Sequence, residues 1–315
     1  MVSLFVVNQQ EERIAVAEAK AAAFGWGWWK DTTQPVDGVL LLKTRRVPKH
    51  LGLVNAAARV LFSTTRAQLE QRLRAYPWRE LRGKRYKVAA HGILSPDLKT
   101  LAGCVWEKAK GSSPPPKVDV NHPDVTIDLF PFDGVIHVML RVFTNTEKFQ
   151  DRRAHLRPEL HPSSMHPAMA RALVNLACAK RVHDPCAGTG GIVIEAALAG
   201  LHASGADIDP EMVRRARVNT RHYHLHPELR VADATLWSPR CGAIIADLPY
   251  GKSTKPVAIL HLLEAMLHRA SARRAIIGLH HPLPASFQAE GWKVRAHLTS
   301  RVHKSMTKHF YVLER

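Results

Sequence analysis

The sequence predicts an α/β protein. Its C-terminal half should be a doubly wound, Rossmann-like sheet, mostly parallel with an antiparallel end strand, preceded by an N-terminal α+β region. Three observations carry this. From Pro167 onward short apolar strands alternate with helices of about ten or more residues, the pattern of a parallel sheet. A glycine-rich loop stands between the first of those strands and its helix. The first half mixes helices and strands without that regularity and closes on two β-rich runs split by "DG", a hairpin signal.

In chain order, "EERIAVAEAKAAAF" (11–24) has the apolar spacing of an amphipathic helix, and "DGVLLLKT" (37–44) that of a strand. The alanine-rich "LGLVNAAARVLFST" (51–64) is expected to be helical. "SSPPPKVDV" (112–120) is a loop, because consecutive prolines remove backbone donors and fix φ. The runs 125–132 and 134–143 form the hairpin. Residues 145–166 turn polar and read as a linker between an N-terminal region (1–144) and a C-terminal domain (167–315). In that domain helices are expected at 168–179, 191–200, 210–223 and 256–270, and strands at 181–184, 202–207, 229–233, 242–247 and 274–279. The last segments, 292–300 and 308–315, read as a paired β end joined by "RVHKSMT", which either touches RNA phosphates or is a plain basic hairpin.

At 315 residues and 46% hydrophobic content, the chain has room for two domains. No N-terminal signal region and no apolar run approaching the roughly 20 residues of a membrane span is present, so a cytoplasmic protein without membrane contact is expected. Cysteines 104, 178, 186 and 241 lack CxxC spacing and read as reduced thiols, and the histidines match no metal-binding spacing, so no metal is expected.

The formal net charge of +18 points to a polyanionic partner. Residues 41–90 hold thirteen Lys or Arg against two Glu, so 13 − 2 = +11 falls within that stretch. Its candidate contacts are Lys43, Arg45, Arg46, Arg79, Arg82, Lys84, Arg85 and Lys87. The interleaved Tyr76, Trp78 and Tyr86 either stack on exposed bases or anchor the segment to a core. The tryptophan-rich "AFGWGWWKD" (23–31) is read as packing within the small N-terminal fold.

"DPCAGTGG" (184–191) sits where a strand gives way to a helix. Gly188, Gly190 and Gly191 let the backbone approach a ligand, and the helix N-terminus favours a polar or anionic group. No lysine follows, which excludes a P-loop, and the GxGG spacing departs from GxGxxG. Asp207, nineteen residues after Gly188, is placed to accept from ribose hydroxyls of a nucleoside cofactor. Asp209 reads as a helix N-cap followed by Pro210, and Asp233 as a strand-end acceptor for an adenine amine. "AIIADLPYGKST" (243–254) offers Asp247 at the end of an apolar run, then Pro249 and Tyr250.

"DPCAGTGG", "GADIDPEM", "VADAT" and "DLPYG" resemble, in that order, the motifs of class I S-adenosylmethionine-dependent methyltransferases acting on exocyclic amines. "HPSSMHPAMARALVNLA" is similar to the segment that closes over the methionine end of the cofactor. The first half, with "KVDVNHPDVTIDLFPFDGVIHVMLRVF", resembles the THUMP domain of tRNA-modifying enzymes. The whole order resembles the archaeal-type tRNA guanosine-10 N2-methyltransferase family. The resemblance implies S-adenosylmethionine as cofactor, held by Asp184, Cys186, Gly188, Thr189, Gly190, Asp207, Ile208, Asp233, Ala234 and Met165. It further implies tRNA as partner and a monomeric enzyme, with the need for a small activating protein left open.

An exocyclic amine is a poor nucleophile because its lone pair is delocalised into the ring. If the Asp247 carboxylate and the Leu248 carbonyl each accept one amine N–H, the lone pair is aimed at the methyl group and the developing positive charge is stabilised. Pro249 would hold the turn and Tyr250 would stack on the extruded base. Leucine stands where many family members carry proline, but its carbonyl can still accept. Adenine N6, a ribosomal RNA guanine, and a non-catalytic RNA-binding protein on a methyltransferase scaffold are the competing readings. A nicotinamide dehydrogenase would leave the DLPY turn without a role.

Overall fold

The computed structural model describes residues 2–35, 38–44, 46, 50–91, 97–132, 134–162, 164–248, 256–303 and 306–315. The chain forms two compact units: Met1–Val6, Val39–Val47 and Ala56–Thr144 in the first, Val7–Gly38, Pro48–Asn55 and Asn145–Arg315 in the second.

The chain begins with β1 (Ser3–Val7), α1 (Glu12–Phe24), β2 (Val39–Leu42), β3 (Val54–Thr64), α2 (Leu69–Ala75) and β4 (Arg85–Ala90). It continues with α3 (Leu98–Ala109), β5 (Lys117–Val118), β6 (Val125–Phe132) and β7 (Val135–Thr144). The first unit is a mixed sheet in the order β2-β1-β3-β7-β6-β4-β5 with α2 and α3 packed on it. The predicted hairpin is present as β6 and β7, antiparallel from Phe132↔Val135 to Ile127↔Leu140.

One expectation fails here: residues 54–64 are a strand, not a helix. The three alanines at 56–58 favour a helix locally, but Val60, Phe62 and Thr64 pair antiparallel with β7, and tertiary pairing overrides propensity. The aromatic residues of the basic segment resolve differently. Trp78 and Tyr86 are wholly buried, with the indole N–H donating to the Leu73 carbonyl at 2.7 Å and the phenol to the Ala102 carbonyl at 2.9 Å. They anchor the core, and base stacking by these two rings is ruled out. Tyr76 is half-buried edge-on to Trp78.

The second unit contains α4 (Pro167–Leu176), β8 (Arg181–Asp184), α5 (Gly191–Leu198), β9 (His202–Asp207), α6 (Pro210–His222) and β10 (Glu228–Val231). After these come β11 (Ala243–Asp247), α7 (Pro256–Arg269), β12 (Arg274–Leu279), β13 (Lys293–His303) and β14 (Met306–Glu314). The sheet order is β10-β9-β8-β11-β12-β14-β13. The first five of these strands are parallel, β14 runs antiparallel to β12, and β13 pairs antiparallel with β14. The described residues of "RVHKSMT" therefore lie on β13 and β14, where Arg301 pairs with Thr307 and His303 with Met306. Strand order reverses between β8 and β11, the point at which such sheets open a crevice for ligands.

Helix α1 belongs to this second unit. Its fully buried Glu18 accepts the Gly52 and Leu53 amides at 2.6 and 2.7 Å and the Asn175 side-chain amide of α4 at 2.6 Å. The tryptophan-rich turn follows α1 there rather than joining the first unit as expected. Trp28 is buried, the Trp26 indole donates to Glu314 at 2.6 Å, and Arg274 lies 4.6 Å over the Trp26 ring. The polar 145–166 stretch is also held down: Arg152 and Arg171 both pair with the wholly buried Glu195 of α5.

Candidate active site

β8 ends in Asp184, and the chain turns at once through the glycine loop into α5. Gly188 and Gly190 have φ of +52° and +88°, conformations that a side chain would strain. At Gly188 an added Cβ would meet nothing within 4 Å, so the loop faces open space. Asp207, the last residue of β9, accepts the Gly188 amide at 2.8 Å and the Asp209 amide at 3.0 Å. It thereby ties two neighbouring strand ends together. Asp209 is the N-cap of α6, accepting from the Glu211 amide at 2.8 Å, with Pro210 at the first helical position.

These turns enclose a pocket of about 540 Å³ at the carboxyl ends of the parallel strands. It brings together most of the residues singled out in the sequence: Asp184, Cys186, Gly188, Thr189, Asp207, Ile208, Asp233, Ala234, Met165 and Asp247 all line it. Gly190 does not line it and instead starts α5 against Ala216. Leu248 is buried below the site, its amide donating to the Gly278 carbonyl at 3.0 Å. Pro249, Tyr250 and Arg45 lie outside the described residues. β10 stops at Val231, two residues short of Asp233, whose Oδ1 accepts from the Thr235 amide and hydroxyl at 2.8 and 2.7 Å.

Sequence reasoning missed four participants. Ser164 bonds Thr189 through their hydroxyls at 3.1 Å, joining the 161–166 segment to the glycine loop. Buried Asn219 of α6 does the same from below, donating to the Glu159 and Thr189 carbonyls at 3.0 and 3.1 Å and accepting the Glu159 amide at 3.0 Å. Leu262 of α7 adds an apolar wall. Lys308 of β14 pairs its ammonium with Asp247 Oδ2. Two had a signal: Ser164 lies within "HPSSMHPAMARALVNLA", and Lys308 directly follows "RVHKSMT".

The electrostatics are dominated by carboxylates. Burial pushes the Asp184 carboxyl well above its usual range, and the charges of Asp207 and Asp247 add to that. The Cys186 thiol is pushed up strongly by burial and then by the same acids, so it is a neutral wall residue and not a nucleophile. Burial raises Asp247 as well, partly countered by Lys308.

The residues fit S-adenosylmethionine. Asp207 ends a strand beside the glycine loop, the place of a ribose acceptor; Ile208 is 69% exposed at the pocket wall, an apolar face for an adenine ring. Asp247 Oδ1 is buried with no hydrogen-bond partner among the described residues, an acceptor awaiting a donor.

The fold and pocket are those of a class I, S-adenosylmethionine-dependent methyltransferase domain. Residues 154–307 match the family described as RMKL-like, methyltransferase domain. A protein named tRNA (guanine(10)-N2)-dimethyltransferase from Pyrococcus abyssi is 34% identical over 217 residues, covering 63% of this chain and 64% of that protein. One of the same name from Methanothermobacter thermautotrophicus is 37% identical over 183 residues, covering 54% of each. The chain thus spans less than two thirds of the length of these relatives. The crystal structure of TrmN from Thermus thermophilus matches the whole chain at 20% identity with a TM-score of 0.51, a likeness of fold.

Proposed function

We propose that the protein transfers a methyl group from S-adenosylmethionine to the exocyclic N2 amine of a guanosine in tRNA, with position 10 as the target. The observation that carries this reading is the buried Asp247 Oδ1, without a hydrogen-bond partner among the described residues, at the rim of a pocket suited to the cofactor. The names of the relatives supply the nucleoside, the position and the RNA class.

The cofactor, when bound, supplies an electrophilic sulfonium methyl group. The rest falls to the chain. Asp247 Oδ1 accepts one amine N–H and the Leu248 carbonyl the other, which directs the nitrogen lone pair at the methyl group. As the methyl passes to nitrogen, its S–C bond breaking to leave a neutral thioether, Asp247 would take the proton released from the amine. Tyr250 of "DLPYG" is the candidate to stack on the extruded guanine. Asp207 and the glycine loop hold the cofactor's ribose and methionine portions, and Met165 with Ser164 excludes water above them.

The first unit is proposed to be the THUMP-like RNA grip. Lys43, Arg46, Arg79, Arg82 and Lys84 are exposed on it, Arg82 with its Nε donating to the Ser113 carbonyl, and Lys87 is half-exposed. Arg85 differs: it is fixed by Asp124 at 2.8 Å, with Asp119 at 3.8 Å.

The test is to incubate the protein with unmodified tRNA transcripts and labelled S-adenosylmethionine, digest to nucleosides and identify the product by mass. Labelled N2-methylguanosine or its dimethyl form, lost when G10 is replaced, is the expected result. Labelled N6-methyladenosine would move the target to adenine, and label that survives replacement of G10 would move the position.

A further inference from the structure

Lys308 stands on β14, across β12 from the end of β11, and its ammonium reaches back to Asp247 Oδ2. Both side chains are largely withdrawn from water, at 10% and 15% exposure. Desolvating such a pair is costly unless each ion is well partnered, so an inward lysine on a strongly basic protein calls for a reason. The carboxylate is confined from a second side. Gly278 of β12 is its register partner, and a Cβ there would lie 2.9 Å from Asp247 Oδ1. With Oδ2 taken by Lys308 and the β12 backbone behind, Oδ1 is left as the acceptor with no partner among the described residues.

The surrounding titratable groups are mostly anionic. Asp207 and Asp247 both bear on Asp184 at the end of β8, and all three acids bear on the Cys186 thiol. His280, beyond Lys308, is pushed down to about 4 by burial and then by Lys308 and His281, so it stays neutral and adds no cation near pH 7. Among the described residues, Lys308 is the cation paired with Asp247.

The geometry points to Lys308 as a positioning residue for methyl transfer, one that holds the Asp247 carboxylate in the rotamer that leaves Oδ1 for the substrate amine. The inference rests on the proposed amine methylation, and two measurements separate them.

In the ligand-free protein, carboxyl NMR of aspartate-labelled chain follows Asp247, assigned by the signal missing in Asp247→Asn. Lys308→Met should raise the Asp247 midpoint by about one unit or more, and Lys308→Arg should leave it near wild type. An unmoved midpoint in Lys308→Met overturns the inference. On unmodified tRNA, Lys308→Met should lower kcat about 100-fold, with cofactor affinity and KM for tRNA within about threefold. Activity should recover in part at higher pH, and Lys308→Arg should restore most of it. A change confined to KM for tRNA would make Lys308 a substrate contact and overturn the positioning role. If wild-type protein labels no nucleoside, the proposed function fails, while the NMR titration still decides what Lys308 does to Asp247.

Discussion

Asp207 and Gly188 are joined by a 2.8 Å hydrogen bond from the glycine amide to the carboxylate, so the acid at the end of β9 shapes the loop that follows β8. One residue thus serves both walls of the cofactor pocket. Replacing it with alanine would release the loop amide and remove the proposed ribose acceptor together. Asp207→Ala should weaken S-adenosylmethionine binding about 100-fold in calorimetry, two charge-assisted bonds being lost. Affinity for tRNA should be unchanged; loss of both would show a collapsed domain instead.

Glu18 is the pin that holds α1 on the methyltransferase unit. Its burial raises the carboxyl pKa, opposed by the amides of Gly52 and Leu53, by Asn175 and by the charge of Arg171. Glu18→Ala would strand two backbone donors in a buried place, at roughly 1–3 kcal/mol each. A clear fall in the urea midpoint is expected, with Glu18→Gln intermediate. An unchanged midpoint would mean that α1 contributes little to this unit.

The basic surface of the first unit should be read residue by residue. Arg79, Arg82 and Lys84 are exposed, whereas Arg85 is already paired with acids. Reversing the first three should weaken tRNA binding and flatten its dependence on salt, by roughly one counterion per lost phosphate contact. Arg85→Ala should change the slope much less. Equal slopes for all variants would take this surface out of the interface.

Acid stability should report on Asp128. Burial alone would raise its carboxyl, but hydrogen bonds from His91 and Arg141, both at 2.8 Å, outweigh it and hold the pKa below the usual value. A depressed native pKa stabilises the fold above about pH 4, and that contribution is lost as pH falls through the native value. Asp128→Asn should therefore be less stable than wild type at pH 7 and lose less between about pH 4 and pH 2. Parallel unfolding curves across that range would contradict the assignment.

The regular second half was legible because its strands and helices are set by local apolar periodicity, and because glycines and strand-end acids mark the turns that build a pocket. Asp209 followed by Pro210 could be read directly as a helix start. What escaped was decided by distant parts of the chain. Residues 54–64 became a strand through pairing with β7, against the helical preference of three alanines. Trp26 and Trp28 looked like parts of the N-terminal fold, yet they follow α1 into the second unit, where Glu314 and Arg274 wait for them. Lys308 lies 61 residues from Asp247 in sequence, and only the folded sheet brings the two strands close. Buried polar staples such as Asn219 leave no local pattern at all.

The most direct test of the central claim compares Asp247→Ala with wild type in single-turnover methyl transfer to tRNA, with S-adenosylmethionine binding measured on the same preparations. The account predicts that transfer falls by about a thousandfold while cofactor affinity stays within a few-fold, because Asp247 acts on the substrate amine. Equal loss of transfer and cofactor binding, or transfer that survives the substitution, would contradict it.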